Sequence, residues 1–584
     1  MRLGHLLRTS SYDVSRLSLY LYIFLLDGHT HGNDNLNKSY KNSKSTEMKN
    51  LFRKRILVVA CGLLFASCCN ESAQTAYEYE YLYKDLPFEM PRVEKPVFPD
   101  YEVNIKDFGA VGDGVFLNTD AFAKAIDHVS EKGGGKVVVS SGVWYTGPIV
   151  LKSNVNLHVE KGALVLFSPE LALYPIIDTW FEGWESRRCQ SPLSARGQEN
   201  IAITGQGAFD GTGHAWRSLA RSKVNESDWA WITSQNGTIE GDRWIPAENR
   251  VRIRPVMLSI IECKNILLED FLIQNSPCWT IHPLFSENLI VDGLQVKNPH
   301  WAANGDGLDV ESCKNVIVVN THFDVGDDGI CIKSGKDEEG RKRARPTENV
   351  LVDNCMVFKA HGGFVVGSEM SGGARNIKVT NCTFNGTDVG LRFKSRRGRG
   401  GLVENIYASN LSMTDLATEA VLFDLFYVGM SAAEVLEAGL ELGDKDTDPI
   451  PAVTEETPSF RNIYISDIAC RNAYRAMYFN GLPEMNITNI NIENCSITAK
   501  YGAELREADG INLKNVYVEA QNGPALTLWN VKNLNIDGFE TNANRAQGLL
   551  VKGVRNETIQ IASKTINSAN TTLNITNPET VTLK

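Results

Sequence analysis

The sequence lacks the signals of several protein classes. Residues 199–538 contain no long apolar run and no sustained helical periodicity, so this region predicts mainly short strands. Three of the 12 cysteines fall within residues 48–69, and the nine that remain are an odd number, which argues against a full disulfide framework. No set of cysteines and histidines has zinc spacing, and no calcium loop is present. The sequence therefore predicts no metal ion or other cofactor.

The sequence is instead rich in one short motif, an asparagine that follows a charged residue and precedes Ile, Val or Leu. Alternating apolar residues come next, which predicts a strand with one buried and one exposed face. Most copies lie about 23 to 34 residues apart, which is the length of one solenoid coil. The motif occurs at Asn200, Asn265, Asn288, Asn315, Asn349, Asn376, Asn405, Asn462, Asn515 and Asn533.

Repeats of this length predict an all-β fold, a right-handed parallel β-helix of roughly ten coils. A β-propeller or a β-sandwich also has many short strands, but neither explains the irregular, coil-sized spacing. Residues 120–132 are the one predicted helix, and we expect it to cap the N-terminal end of the solenoid. Five cysteines occupy similar places in their coils and are predicted to stack in the core: Cys263, Cys313, Cys355, Cys382 and Cys495.

The chain divides into four predicted segments. We interpret residues 1–47 as a spurious or untranslated extension, because their one apolar stretch is too short to span a bilayer. Residues 48–68 resemble a bacterial lipoprotein signal, which predicts lipidation at Cys68 and a place in the periplasm or the outer membrane. Ordinary signal cleavage near Cys68 is the alternative. Residues 69–100 are a predicted tether, and residues 101–584 are the predicted β-helix domain.

Acidic and basic residues recur at the same coil-sized spacing. Asp306 precedes Asp327 by 21 residues, and Asp328 directly follows Asp327. His361 follows Asp328 after 33 residues, and Arg392 follows His361 after 31. Strands of neighbouring coils lie roughly 4.8 Å apart, so residues one coil apart on the same face become near neighbours. We therefore expect these residues to form one patch along the solenoid.

Three carboxylates this close cannot ionise independently, because mutual repulsion raises the proton affinity of at least one of them. An acid beside bases is what glycoside hydrolysis requires: one carboxyl protonates the leaving oxygen while another activates water or attacks the sugar. The formal net charge is −11, yet residues 392–399 hold five cations and no acid, which favours an anionic polysaccharide as substrate. No nucleic-acid-binding motif accompanies this charge.

These motifs resemble the signature of the polygalacturonase-type pectin hydrolases, glycoside hydrolase family 28, which is usually written NTD, DD, GHG and RIK. The resemblance covers roughly residues 101–542, and the three substitutions within the motifs remove no charged group. In this chain the four motifs are Asn304-Gly305-Asp306, Asp327-Asp328, Ala360-His361-Gly362 and Arg392-Phe393-Lys394.

The resemblance implies catalytic roles in an inverting mechanism. Asp327 is the expected general acid, and Asp306 and Asp328 are expected to hold and activate the water. His361 would tune or orient the acid, although a structural histidine in a glycine-bounded turn is the alternative. Acid and base are expected to stand roughly 6.5 to 9.5 Å apart, which leaves room for a water molecule.

The resemblance also implies a binding site for a uronate carboxylate. Arg392 and Lys394 are the expected clamp, because arginine offers a bidentate fork and lysine a point charge. Asn304 is expected to bind substrate beside them. Tyr427 matches a tyrosine that contacts substrate in the family, with a packed aromatic residue as the alternative.

The predicted function is therefore the cleavage of α-linked galacturonate in pectin. Exo action is favoured, because residues 367–373 and 398–401 resemble exo-acting members and the acidic insertion 431–456 would close one end of a groove. A rhamnogalacturonan or branched-pectin galacturonidase, a non-catalytic pectin-binding β-helix and a calcium-dependent pectate lyase are the alternatives. We expect a monomer that binds a pectic polysaccharide or an oligogalacturonide, contacts the membrane only through its lipid and binds no nucleic acid.

Overall fold

The computed structural model describes residues 77–427, 450–542, 548–562, 574–575 and 580–583. The predicted extension, the signal segment and its lipidation site Cys68 lie outside these residues and stay predictions. The chain divides into two compact units, residues 1–84 and 85–584. The described part of the first unit holds one short helix, α1 (Glu80–Tyr83).

Stacked parallel strands build the second unit. The first stack contains β1 (Glu102–Asn104), β2 (Gly135–Val139), β5 (Val155–Val159), β10 (Glu199–Thr204), β16 (Lys264–Glu269), β19 (Glu287–Asp292), β22 (Lys314–Val319), β25 (Thr347–Asp353) and β28 (Ala374–Thr380). The second contains β3 (Gly142–Thr146), β6 (Ala163–Phe167), β11 (Ala208–Asp210), β17 (Leu272–Gln274), β20 (Gln295–Lys297), β23 (His322–Asp324), β26 (Met356–Phe358) and β29 (Thr383–Asn385). The third contains β4 (Ile149–Val150), β9 (Leu193–Arg196), β15 (Leu258–Ile261), β18 (Ile281–Leu284), β21 (Leu308–Glu311), β24 (Ile330–Lys333), β27 (Gly362–Val366) and β30 (Val389–Lys394).

Later strands continue all three stacks towards the C-terminus. The strand order confirms the predicted right-handed parallel β-helix, and the propeller and sandwich alternatives are wrong. These later strands are β31 (Leu402–Asp424), β32 (Ser459–Asn480), β33 (Ile487–Thr541), β34 (Leu549–Lys552), β35 (Glu557–Ile561), β36 (Asn574–Ile575) and β37 (Val581–Leu583).

Insertions between coils form the remaining elements. An antiparallel hairpin joins β7 (Ile176–Phe181) to β8 (Trp184–Cys189). A small antiparallel sheet contains β12 (Leu219–Ala220), β13 (Gly237–Glu240) and β14 (Arg243–Pro246). The helices are α2 (Thr119–Glu131), α3 (Glu226–Thr233), α4 (Arg250–Ile253) and α5 (Asp337–Arg343). No helix among the described residues is both long and apolar enough to cross a membrane.

The repeated asparagine has a structural cause. In each coil it adopts a left-handed backbone conformation, such as φ +58° at Asn315, which asparagine tolerates better than most residues. Each side-chain amide donates to the asparagine one coil earlier, with N···O distances of 2.8 to 3.5 Å, in an unbroken ladder from Asn489 back to Asn154. The ladder thus uses the asparagine both to turn the chain and to align neighbouring coils.

The charged residues that precede these asparagines also lie opposite one another in neighbouring coils. Glutamate and a basic residue alternate from coil to coil, so each charge lies between two opposite charges. Lys314 Nζ lies 3.1 Å from Glu348 Oε1, and Arg375 Nη2 lies 2.6 Å from Glu348 Oε2. Like charges at this position would repel one another, so the alternation favours one register. The aligned residues are Glu199, Lys264, Glu287, Lys314, Glu348, Arg375, Glu404 and Arg461.

Inward-facing side chains stack into one continuous apolar core. Burial of these columns supplies the main driving force for a fold in which each coil alone has too little core. The five cysteines predicted to stack are buried in this core, and none of the nine cysteines beyond residue 100 forms a disulfide. One such column contains Ile266, Leu289, Val316, Val350, Ile377, Ile406, Ile463 and Ile490.

The predicted helix is present as α2, within one residue of the expected bounds. It buries Phe122, Ile126 and Val129 against the same core and contacts β1, β2, β4 and β5. These strands come first in the chain. That α2 acts as a cap stays a prediction.

Removal of one rung of the asparagine ladder should destabilise the protein. Asn315 is buried and has an amide hydrogen bond of 3.0 Å on each side. We expect Asn315→Gly to lower the free energy of unfolding by about 1 to 3 kcal/mol, because both bonds are lost in a buried site. Asn315→Ala should cost about 1 kcal/mol more, because a Cβ disfavours positive φ. Denaturant unfolding measures both changes.

An exposed asparagine gives the matched control. Asn410 has the same backbone conformation, φ +53°, and donates to Asn381, but its side chain is exposed. Asn410→Gly should therefore cost less than Asn315→Gly. Equal losses in the two variants would show that the buried ladder adds nothing to stability beyond its backbone conformation.

Candidate active site

A cavity of about 340 Å³ opens on the third stack. It contains all eight residues that the sequence predicted for the site, so the predicted patch forms in the structure. They are Asn304, Asp306, Asp327, Asp328, His361, Arg392, Lys394 and Tyr427. Eight further residues line the same cavity: Glu182, Trp279, Lys333, Lys336, Ser368, Glu369, Arg396 and Arg399.

The register of the third stack brings the acids together. Leu308 of β21 pairs with Ile330 of β24, so Asp306 and Asp328, two residues before these strands, occupy equivalent positions in adjacent coils. The next pairing, of β24 with β27, places Asp327 opposite His361 in the same way. One oxygen of each of the three acids lies within 4.8 Å of the others. This distance joins the nearest oxygens and not the carboxyl centres, so the expected separation of 6.5 to 9.5 Å between acid and base stays a prediction.

Asp328 is held as a carboxylate by the basic pair. Lys394 Nζ lies 2.7 Å from its Oδ2 and Arg392 Nη1 lies 3.3 Å from its Oδ1, with all three side chains buried. Burial alone would raise the pKa of Asp328, but Lys394 and Arg392 outweigh it and hold the pKa below its usual value.

Asp327 is ionised by its histidine. His361 Nδ1 lies 3.1 Å from Asp327 Oδ1. In addition, the backbone N–H of His361 donates to the backbone carbonyl oxygen of Asp327. Burial raises the pKa of Asp327, but His361, Lys394 and Arg392 together bring it below the usual range. The charge of Asp327 in turn raises the pKa of His361 to about 9, against the effect of burial. The contact therefore supports the tuning role over the alternative of a structural histidine in a turn.

Asp306 carries the raised pKa that the sequence predicted for one member of the cluster. Its side chain is buried, and Oδ1 has no hydrogen-bond partner among the described residues. Burial is the largest cause of the rise, and the charges of Asp327 and Asp309 add to it. The sequence argument, based on repulsion alone, missed the larger effect.

Of the three acids, Asp306 is therefore the one whose surroundings raise its pKa and favour the protonated form. The sequence predicted Asp327 as the general acid, but Asp327 is ionised in this state because His361 and the basic pair surround it. A mechanism that uses Asp327 must accordingly move a proton to it when substrate binds.

The two remaining predicted residues lie at opposite sides of this cluster. Asn304 accepts a hydrogen bond of 2.6 Å from Arg254 Nη2, which orients its amide. The Tyr427 ring lies 5.2 Å from Lys394 Nζ and 5.7 Å from Arg392 Cζ, in the range of cation–π contacts. Tyr427 therefore lines the cavity beside the basic pair and is not a residue packed in the core.

Besides the basic cluster at residues 392–399, the sequence has a second one at residues 341–345, which does not line the cavity. Arg341 binds the Gly398 carbonyl oxygen, and Arg345 binds the Phe285 carbonyl oxygen. Arg343 Nη2 donates to the Gly183 carbonyl oxygen at 2.5 Å. These cations tie insertions to the solenoid, and the attraction of a polyanion falls to the first cluster, of which Arg396 is exposed at the cavity.

The β7–β8 hairpin bounds one end of the cavity. Glu182 at its turn lies 3.5 Å from Lys336 Nζ, and both side chains line the cavity. Arg343 holds the turn through Gly183. The sequence assigned this closing role to insertion 431–456, most of which lies outside the described residues. The sequence did not indicate that the hairpin bounds the cavity, because the tryptophans of the hairpin are as typical of packing between loops as of a substrate site.

Comparison with known proteins agrees with this geometry. The family model described as glycosyl hydrolases family 28 matches residues 178–466. A solved exopolygalacturonase from Thermotoga maritima has 30% sequence identity and a TM-score of 0.59, with 75% of this chain and 95% of that chain covered.

Two curated relatives have names of the same kind. An exo-poly-alpha-D-galacturonosidase from Dickeya chrysanthemi is 31% identical over 348 residues, which are 56% of this chain and 57% of that protein. A probable polygalacturonase from Vitis vinifera is 27% identical over 406 residues, which are 68% of this chain and 74% of that protein.

The contact between His361 and Asp327 predicts a pH-dependent stability. The folded pKa of His361, about 9, is above its ordinary value of 6.5, so the pair stabilises the fold fully below pH 6.5 and loses this contribution as pH rises through about 9. Thermal midpoints of wild type and His361→Gln should differ most near pH 6 and converge towards pH 10. A difference that stays constant from pH 5 to 10 would rule out the ionised pair.

Proposed function

The chain belongs to the glycosyl hydrolases of family 28, and from that membership we propose that it releases galacturonate from the ends of pectic chains by an inverting acid/base mechanism. One observation carries the proposal. A single buried cluster combines three acids, of which one holds a proton, with a histidine and two cations.

The cluster is suited to a uronate substrate. Arg392 and Lys394 lie in the cavity with their charge directed at Asp328, and Arg392 Nε has no hydrogen-bond partner among the described residues. A uronate carboxylate that binds here would share these cations with Asp328 and accept the unused N–H. The family assigns these two residues to the same task.

Substrate binding would also supply the proton that Asp327 needs. A uronate carboxylate beside Arg392 and Lys394 adds a negative charge and weakens their hold on the acids. The pKa of Asp327 rises as a result, and the proton of Asp306 lies within the same cluster, since the oxygens are within 4.8 Å. The proton can then pass from Asp306 to Asp327, which protonates the leaving oxygen, while the ionised Asp306 and Asp328 activate water.

The positions of the acids favour attack by water. A retaining mechanism needs a carboxylate that reaches the sugar carbon, but Asp328 is buried and fixed by Lys394 at 2.7 Å. Asp306 is buried and protonated before substrate binds. A water molecule needs only a hydrogen bond from these groups, so inversion is compatible with the short spacing of the acids.

Exo action is supported by the closed end of the cavity. Glu182 and Lys336 line the cavity where the β7–β8 hairpin bounds it, and Arg343 fixes the turn between β7 and β8. A chain end fits such a site, whereas an internal segment needs an opening on both sides. The exo-acting relatives favour the same outcome.

The roles of Asp327 and Asp306 predict different responses to the leaving group. Asp327→Asn should fold and bind oligogalacturonide nearly as well as wild type, but turn it over about 10²- to 10⁴-fold more slowly, because the leaving oxygen is no longer protonated. On an aryl galacturonide, whose phenolate leaves without a proton, the loss should be at least tenfold smaller. Asp306→Asn should lose activity on both substrates, since both need activated water.

Steady-state kinetics on the two substrates measure this difference, with Asn410→Gly as a variant outside the cavity. An Asp327→Asn protein with near-normal turnover would remove Asp327 as the acid. Selective rescue of Asp306→Asn by the aryl substrate would transfer the role of acid to Asp306.

The product profile tests the proposed function as a whole. Purified protein should release free galacturonate from the start of the reaction on polygalacturonate, with a chelator present and without unsaturated products. Asp327→Asn protein purified in the same way should release it about 10²- to 10⁴-fold more slowly, which excludes a contaminating pectinase.

Other profiles would change the assignment. A ladder of saturated oligomers would mean endo action, and release only from rhamnogalacturonan would move the substrate to the branched pectins. Chelator-sensitive, unsaturated products would indicate a lyase. Binding without new reducing ends would mean that the chain is a pectin-capture protein.

A further inference from the structure

Lys333 is a buried cation of the cavity that the proposed reaction does not use. It ends β24, its side chain is 4% exposed, and it lines the cavity. Its Nζ lies 3.0 Å from Glu369 Oε2 and 3.5 Å from Asp309 Oδ1. The ammonium also lies 4.6 Å from the centroid of the Trp279 ring, which closes the site on another side.

The register places Lys333 beside the reacting acids. Lys333 pairs with Glu311 of the preceding coil, and Cys331, two residues earlier, pairs with Asp309. Two coils later the same outward column reaches Lys394, one of the two cations that hold Asp328. Lys333 therefore belongs to the wall from which the catalytic groups project.

Titratable groups face Lys333 from both neighbouring coils and from its own strand. Asp306 and Asp309 lie on the preceding coil, and the Cys331 thiol lies on its own strand. Glu369 follows β27 on the next coil. Glu369 also pairs with a second cation, because Arg399 Nη2 lies 3.9 Å from its Oε1. Lys333 thus lies between Glu369 on one side and a group of acids that includes Asp306 and Asp309 on the other.

A purely structural role explains this arrangement poorly. Burial of an ammonium is costly, and a packed apolar side chain often stabilises a core as well as an ion pair. Asp309, moreover, has neither carboxylate oxygen in a hydrogen bond with a described residue, although its side chain is fully buried. Burial raises the pKa of Asp309, whereas Lys333 and Arg399 hold the pKa of Glu369 at about 2, so of the two carboxyl groups near Lys333 Nζ only Glu369 is held ionised.

We infer that Lys333 is a positioning residue whose buried charge, moderated by Glu369, limits how tightly Asp306 holds its proton and helps to keep Asp328 ionised. The inference rests on the proposed function. A positive charge at this position stabilises the ionised form of both acids, and Lys333 acts in this direction on each of them. Glu369 acts in the opposite direction, because it neutralises Lys333.

The pair therefore predicts opposite shifts in the pH–rate profile. Lys333→Met removes a positive charge, which raises the pKa values of the acids, so the acid limb of kcat/KM should move up by about 1 pH unit or more. Glu369→Gln removes a negative charge and should move the same limb down. Lys333→Arg keeps the charge and should return the limb to near its wild-type position, and the double variant should lie between the two single variants.

Loss of structure alone would not produce this pattern. Damage to the site lowers activity at all pH values and does not move the limb in opposite directions for the two partners of one ion pair. Thermal midpoints and KM, measured on the same proteins, separate the two effects. If Lys333→Met does not fold, Glu369→Gln decides alone: a downward shift supports the inference and an unchanged limb contradicts it.

The outcome also separates this inference from the proposed function. A wild-type protein without hydrolase activity would contradict the proposed function. An active wild type whose two variants fold and keep the wild-type limb, or shift it in the same direction, would contradict the role of Lys333 and leave the hydrolase in place.

Discussion

The in-register stacking of coils is the constraint on which the rest of the structure depends. Parallel pairing repeats every position at the strand spacing of roughly 4.8 Å, so each residue meets its own equivalent in the next coil. Identical apolar residues and asparagines gain from this arrangement, while identical charges would repel. The asparagine ladder and the alternation of Lys314, Glu348 and Arg375 are the two solutions found here. The core holds the coils together, and these polar columns fix their register.

The same constraint assembles the site. Register alone brings Asp306 beside Asp328 and Asp327 beside His361, although 21 or more residues separate the partners in sequence. Such a cluster of acids would be unfavourable without compensation. The compensation comes from cations on the following coils: Lys394 and Arg392 hold Asp328, and His361 holds Asp327. Asp306 has the least compensation and retains the proton.

The sequence predicted the fold and six of the eight expected site residues from spacing, whereas Asn304 and Tyr427 came from the resemblance to the family. Two rungs were missed, Asn154 and Asn489, because Ser153 and Thr488 replace the charged residue of the motif. Lys333 and Glu369 were missed as well, since neither belongs to a repeated motif and their contact depends on the path of β24 and of the segment after β27. The location of the proton could not be predicted, because it depends on burial and on the 3.1 Å contact of His361 with Asp327.

The stereochemistry of the first product tests the central claim most directly. The short spacing of the acids is compatible with either outcome on distance alone, so the argument for inversion rests on the burial of Asp306 and on the fixed position of Asp328. Proton NMR during the first turnovers of an α-linked oligogalacturonide should show the β-anomer of the newly formed product before mutarotation. The α-anomer as first product would mean that a carboxylate attacks the sugar, and the account of water activation by Asp306 and Asp328 would be wrong.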